Sequence, residues 1–133
     1  MSQGEQLEAL CALLGEETRV CGVLSGVLRD EQTAAIGLDP DGIIGCLAER
    51  RLLHEQFVQL AAARRDLVYS IAREQGETAE RVTELLPLLA ADAQDADLVA
   101  VIARLTQTQT ALQAALAAGA EIARTSLADL LKL

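Results

Sequence analysis

Hydrophobic residues recur at heptad spacing along the first quarter of the chain. The main series consists of Leu7, Leu14, Cys21 and Leu28. A companion series three residues further on consists of Leu10, Glu17, Leu24 and Glu31. Two such series form the seam along which one helix of a coiled coil packs against another. The pattern therefore predicts a helix over residues 3–35, with two acidic interruptions in its seam.

A second helix with the same spacing is predicted over residues 40–75. Asp39 is a good N-cap, and Pro40 is tolerated at the first helical position, where its missing N–H would have no partner anyway. Gly76 follows the last periodic residues, as is typical of a helix C-terminus. The seam of this helix comprises Ile43, Arg50, Phe57, Arg64 and Ile71, with Leu53, Leu60 and Leu67 as its companions.

The two seams can face each other in an antiparallel hairpin. One register places Glu17 opposite Arg64 and Glu31 opposite Arg50, so that each acidic interruption meets a basic one. The same register pairs Leu10 with Ile71, Leu14 with Leu67, Cys21 with Leu60, Leu24 with Phe57 and Leu28 with Leu53. Because polar seam residues can specify register, we expect the two charged pairs to fix this alignment.

The rest of the chain predicts a short third segment and a long final helix. Thr78 can cap a helix over residues 78–90, which Pro87 is expected to break or kink. Residues 95–132 contain no Pro, and Asp95 and Asp97 favour a helix N-terminus there. The apolar stripe of this helix comprises Leu98, Ile102, Leu105, Leu112, Leu116, Ala123, Leu127 and Leu130.

The opposite side of the final helix is poor in charge. After Asp97 its charged residues are Arg104, Glu121, Arg124, Asp129 and Lys132. Either this side accepts a helix of another protein, or it is buried between neighbouring helices of its own bundle, and periodicity favours neither interpretation. If it accepts a partner, the candidate binding residues of the helix are Leu105, Leu112, Ala114, Leu116, Ala118, Ile122, Leu127 and Leu130.

These elements predict one all-α domain over residues 1–133. Its architecture is an elongated antiparallel helical bundle, in which a coiled-coil hairpin is joined by a short third segment and a long C-terminal helix. Hydrophobic residues make up 51% of the chain but aromatic residues only 2%, so the core must consist of Leu, Ala, Val and Ile. Helices of more than 30 residues would make the molecule a rod of roughly 50 Å.

The composition excludes several classes of function. A net charge of −9 argues against nucleic-acid binding, because the phosphate backbone favours Lys and Arg. No signal peptide or membrane-spanning apolar run is present in the sequence, so we expect a cytoplasmic protein without membrane insertion. Cys11, Cys21 and Cys46 lack CxxC spacing and are expected to be reduced thiols that pack as small hydrophobic residues.

The sequence carries no strong sign of catalysis or of cofactor or metal binding. His54 is the sole histidine, and no Glu-x-x-His spacing accompanies it. A phosphate-binding glycine loop is also missing, and Cys46 lies two helical turns from His54. The arginines between residues 50 and 73 alternate with acidic residues, as on a solvated face. We therefore expect neither an enzyme nor a metalloprotein.

In the order and spacing of these elements, the chain resembles the FlgN family of flagellar export chaperones. The matching segments are LEALCALLGEE at 7–17, AERRLLHEQF at 48–57, TELLPLL at 83–89 and LADLLKL at 127–133. The chain departs from the family where an Asn often marks the middle of the final helix, since Thr108 and Thr110 lie in that neighbourhood.

The resemblance implies a chaperone that binds the C-terminal helices of flagellar hook-associated (hook–filament junction) proteins. Such a chaperone prevents premature assembly and delivers its clients to the flagellar type III secretion apparatus, with the export gate or the export ATPase complex as further partners. The substrate-binding region of the family maps to residues 98–133 here. The protein would be a monomer or weak dimer. The alternative is a structural coiled-coil protein that self-associates through the weakly polar side of the same helix.

Overall fold

The computed structural model describes residues 2–91, 93 and 95–131, with side chains described up to residue 125. These residues form four α-helices in the order α1 Gln3–Ile36, α2 Pro40–Glu74, α3 Val82–Ala91 and α4 Ala96–Leu131. No β-strand occurs in the described part of the chain. The all-α architecture with a short third helix and a long final one is confirmed.

Helices α1 and α2 form the antiparallel hairpin in the predicted register. Arg64 lies 2.8 Å from Glu17, and Arg50 lies 3.2 Å from Glu31. The connection between the helices is capped as expected, since the amide N–H of Gly42 donates to the Asp39 carboxylate at 3.1 Å. The charged seam residues thus mark the alignment of the two helices along most of their length.

Helix α3 begins later than predicted and is not broken at Pro87. It begins at Val82, so Thr78 does not cap it. Instead the Glu84 carboxylate accepts a hydrogen bond from the amide N–H of Arg81 at 3.2 Å. The helix also continues through Pro87 to Ala91 rather than breaking. Its buried apolar side chains hold it against the bundle, and this packing outweighs the helical hydrogen bond that Pro87 removes.

Helix α1 is the central element of the bundle. It packs against α2 on one side and α4 on the other, whereas α2 and α4 do not pack against each other in the described part of the chain. Helix α4 runs parallel to α1, because Arg104 pairs with Glu8 near one end and Gly119 approaches Ser25 further along. Helix α4 is continuous through Gly119.

The main core lies beside the N-terminal half of α1, where α3 bridges α2 and α4. Its fully buried side chains include Leu7, Leu10, Leu14, Val68, Ile71, Val82, Leu85, Leu89 and Leu105. A smaller cluster of Val20, Val27 and Leu53 joins α1 to α2 further along the hairpin. The short helix α3 therefore completes the bundle along only part of its length.

The molecule is elongated, as the helix lengths predict. Helix α1 has 34 residues, which corresponds to about 51 Å at 1.5 Å per residue. The accessible surface is 8102 Å², whereas a compact monomer of this mass would expose about 6,700 Å². The excess reflects helices that are covered on only some of their sides.

Candidate binding groove

An apolar groove runs over the C-terminal half of α1, between α2 and α4. Two neighbouring cavities of about 300 and 230 Å³ share Leu24 and Leu28 in their linings. The α2 wall consists of Leu47, Arg50, Arg51 and His54, and the α4 wall of Ala115, Leu116, Gly119 and Ala120. We call this surface, with its floor of Leu24 and Leu28, the distal groove.

The floor of the distal groove continues the seam of α1. Leu28 follows Leu7, Leu14 and Cys21 in steps of seven residues, and those three side chains are buried. Leu28 and Leu24 are only half-buried. The difference arises because α3 belongs to the core around Leu7 and Leu14 but does not extend to the second half of the seam.

Helix α2 presents the same side to α3 and to the distal groove. Leu47 and His54 precede Ala61 and Val68 in steps of seven residues. Ala61 and Val68 are buried in the bundle, whereas Leu47 is 40% exposed and His54 is also exposed. The groove is therefore the continuation of the space that α3 fills.

The charged residues that line the distal groove are basic. Arg50 is paired with Glu31 and is partly covered. The side chain of Arg51 is 83% exposed and lies 3.5 Å from Glu55 in the same helix, a geometry that contributes little binding energy in water. No acidic residue is among the described lining residues, although the whole chain has a net charge of −9.

The α4 wall is made of small residues around one large one. Leu116 is 46% exposed, and it is flanked by Ala115, Gly119 and Ala120. At Gly119 a Cβ atom would lie 3.5 Å from the hydroxyl oxygen of Ser25, so α4 lies close to α1 at this point. Small side chains keep this wall low, which leaves Leu116 and Leu28 accessible from the groove.

The structure separates the predicted binding residues of the final helix into different environments. Leu105 and Leu112 are buried in the core and hold α4 against α1. Leu116 lines the distal groove, and Ile122 is half-buried. The side chains of Leu127 and Leu130 lie outside the described part of the structure.

Ala114 and Ala118 lie on the outer side of α4. Each is two residues from Leu116, which places it about 200° away around the helix. Both are exposed, as are Ala100, Ala103, Ala111 and Ala117. The interpretation in which this side is buried between neighbouring helices therefore does not hold for the described residues.

The environment of the cysteines does not favour nucleophilic chemistry. Cys11, Cys21 and Cys46 are free thiols. Burial raises the pKa of the Cys21 thiol, and the charge of Glu17 raises it further. For Cys46, partial desolvation and nearby carboxylates, Asp30 and Glu31 first among them, also raise the pKa. Thiols held protonated in this way are poor nucleophiles.

The contributions of α1 and α2 to this groove were not predicted from the sequence. The predicted binding residues all lie on the final helix, and Leu24 and Leu28 were expected only as residues of the α1 seam. The available signal was length, since a third segment of about a dozen residues cannot cover a seam that extends over a 34-residue helix.

The fold and the groove define an all-α helical bundle with a partly uncovered apolar seam. Comparison of the chain with protein-family models, with curated proteins and with solved structures gave no match. Within the described residues, no helix has the length and apolar character needed to cross a membrane, and no group of three or more His, Cys, Asp or Glu side chains is placed to hold a metal ion.

Proposed function

We propose that this protein is a cytoplasmic export chaperone of the FlgN type. It binds the C-terminal helical segment of flagellar hook-associated proteins, prevents their premature assembly and delivers them to the flagellar type III secretion apparatus. The observation that carries this proposal is the distal groove, where Leu24, Leu28 and Leu116 present an uncovered apolar surface between two helices.

The physical support lies in the match between such a groove and an amphipathic helix. A helix buries its apolar stripe by lying in a groove whose walls are other helices, with anchors at i, i+3, i+4 and i+7. The distal groove supplies apolar positions for such anchors at Leu24, Leu28 and Leu116. A client helix held in this way cannot assemble with other copies of itself.

A structural, self-associating coiled-coil protein remains the second candidate, and a different surface favours it. Helix α2 carries further exposed apolar side chains, among which Ile44 and Leu52 are each 64% exposed and Val58 is 49% exposed. None of the three is among the residues that line the distal groove. A second copy of the chain packing there would produce a stable homo-oligomer without any client.

Calorimetric titration of the purified protein with the C-terminal segment of a hook–filament junction protein tests the proposal. We expect saturable 1:1 binding with a negative change in heat capacity, the signature of apolar burial. Light scattering on the free protein provides the comparison. A tight homo-oligomer that does not bind the client segment would favour the structural alternative and would contradict the chaperone function.

A further inference from the structure

Helix α3 shows how a helix is held in the space between α2 and α4. Val82, Leu85 and Leu89 are buried by the bundle, at spacings i, i+3 and i+7. Thr83, Glu84 and Pro87 are exposed on the other side of α3. Leu86 and Leu88 are half-buried against the same core. A helix in this position therefore needs an apolar stripe and a polar outer face.

The distal groove continues this established interface along the same helices. On α1, the buried heptad positions beside α3 continue to Leu28. On α2, the buried heptad positions continue in the other direction to His54 and Leu47. From Cys21, the last residue of α1 in the core that includes α3, helix α1 extends to Ile36. That distance is about 23 Å, enough for a helix of about 15 residues.

The charges along the α2 wall indicate which side chains a helix bound in the distal groove would carry along one edge. Among the described residues that line the distal groove, those with basic side chains are Arg50, Arg51 and His54, all on α2. Arg50 is engaged by Glu31, whereas the exposed Arg51 has only a long contact with Glu55 in its own helix. A carboxylate on the occupant can therefore pair with Arg51 without breaking a buried interaction.

From these observations we infer that the distal groove binds an amphipathic helix of about 15 residues in line with α3. Its apolar stripe covers Leu24 and Leu28, and acidic side chains along one edge face Arg51 and His54. The inference deepens the proposed function, since the identity of the client rests on that function. The shape and charge inferred for the bound helix do not depend on the proposed function.

Two synthetic peptides of about 15 residues test this inference directly. Both carry Leu at i, i+3, i+7 and i+10 on an Ala background, and they differ only in having Glu or Lys along one edge of the stripe. Each is labelled with fluorescein and titrated with the full-length chain in an anisotropy experiment. Because the protein is strongly acidic, its overall charge alone would favour the Lys peptide.

We expect the Glu peptide to bind saturably and at least about tenfold more tightly than the Lys peptide. Leu116→Glu should weaken binding of the Glu peptide by about tenfold or more, since Leu116 lines the groove. Leu52→Glu is the matched control, because it places the same change at an exposed leucine outside the groove. It should leave the affinity unchanged.

Charge reversal gives a second matched pair. Arg51→Glu should invert the preference between the two peptides. Arg19→Glu should not, since Arg19 forms the same kind of pair within its own helix, with Glu16, but lies outside the distal groove. Tighter binding of the Lys peptide to the unmodified chain, no saturable binding of the Glu peptide, or equal effects of Leu116→Glu and Leu52→Glu would overturn the inference.

The remaining outcomes separate this inference from the proposed function. A dimer that Leu116→Glu dissociates would make a second copy of the chain the occupant, and would reject the inference. Binding of the Glu peptide without binding of a hook–filament junction segment would reject the proposed client and support the groove assignment. Client binding that Leu116→Glu leaves intact would reject the groove and support the chaperone function.

Discussion

The Nε–H group of Arg64 donates a bifurcated hydrogen bond to the two carboxylate oxygens of Glu17, at 2.8 and 3.0 Å, in the middle of the α1–α2 seam. Glu17 is 0% exposed, and the Arg64 side chain is 18% exposed. Removing a carboxylate from water is costly, and a close arginine recovers that cost only in part. The pair therefore serves the alignment of the hairpin more than its stability.

Arg64→Met should destabilise the fold strongly, because it leaves the Glu17 charge buried without its partner. We expect a loss of about 3 kcal/mol in the free energy of unfolding, measured by urea denaturation. The double variant Glu17→Leu/Arg64→Met should recover most of that loss, since an apolar pair of similar volume can replace a buried ion pair.

The pair of Arg50 and Glu31 provides the control for this experiment. Its side chains are 41% and 22% exposed, so Arg50→Met should cost less than about 1 kcal/mol. Equal losses at the two sites would show that burial does not govern the energetics of the seam. A double variant no more stable than Arg64→Met would contradict the desolvation argument.

The stability of the protein should depend on pH through Glu17. Burial raises the pKa of this carboxyl above its ordinary value of 4.5, and outweighs the opposing effects of Arg64 and Arg65. The folded protein thus holds the Glu17 proton to higher pH than the unfolded chain does. Its contribution to stability is fully present below the ordinary pKa and is lost as the pH rises through the folded-state pKa.

Comparison with Glu17→Gln isolates this effect, because glutamine does not titrate and the other carboxyl groups are common to both proteins. The free energy of unfolding of the unmodified protein, minus that of Glu17→Gln, should decrease between pH 4 and pH 7. The cost of Arg64→Met should shrink as the pH falls from 7 towards 4.5, because both folded proteins then bind the Glu17 proton. A difference that increases with pH would mean that the ion pair lowers the pKa of Glu17.

The hairpin could be predicted from sequence because its signals are periodic and complementary. Glu17 and Glu31 interrupt one heptad series where Arg64 and Arg50 interrupt the other, and only one register satisfies both pairs. The distal groove could not be predicted in this way. Leu24 and Leu28 have the same sequence environment as Leu7 and Leu14, and their exposure depends on where α3 ends.

Helix α3 itself illustrates the limit of local rules. Thr78 predicted its beginning, yet the helix begins at Val82, and it is not broken at Pro87 before its end at Ala91. Tertiary burial of Leu85 and Leu89 decides its bounds. A segment of ten residues contains too few turns for periodicity to reveal this packing.

Gly22 of α1 is a site where substitution should stabilise the protein. No atom outside the local helix lies within 4 Å of the position that a Cβ would take, so the glycine does not serve a close helix–helix contact. Gly22→Ala should raise the free energy of unfolding by about 0.5–1 kcal/mol through helix propensity. Thermal and urea denaturation measure the change.

Gly76 offers the contrasting case, because its φ of 75° lies in the left-handed region. Gly76→Ala should destabilise the protein by about 1 kcal/mol, although the position is equally free of neighbours. Stabilisation by both substitutions, or by neither, would show that backbone conformation does not control their effects.

Amide hydrogen exchange should divide α4 into two parts at Leu112. Among the described side chains of α4, Leu105 and Leu112 are buried, and none from 113 to 125 is. Because protection follows burial and local contact density, amides at 113–125 should exchange faster than those at 99–112 in the free protein. Binding in the distal groove would cover Leu116 and slow exchange at 113–125 selectively. Strong, uniform protection over 99–125 without a partner would mean that contacts with α1 alone hold the whole helix.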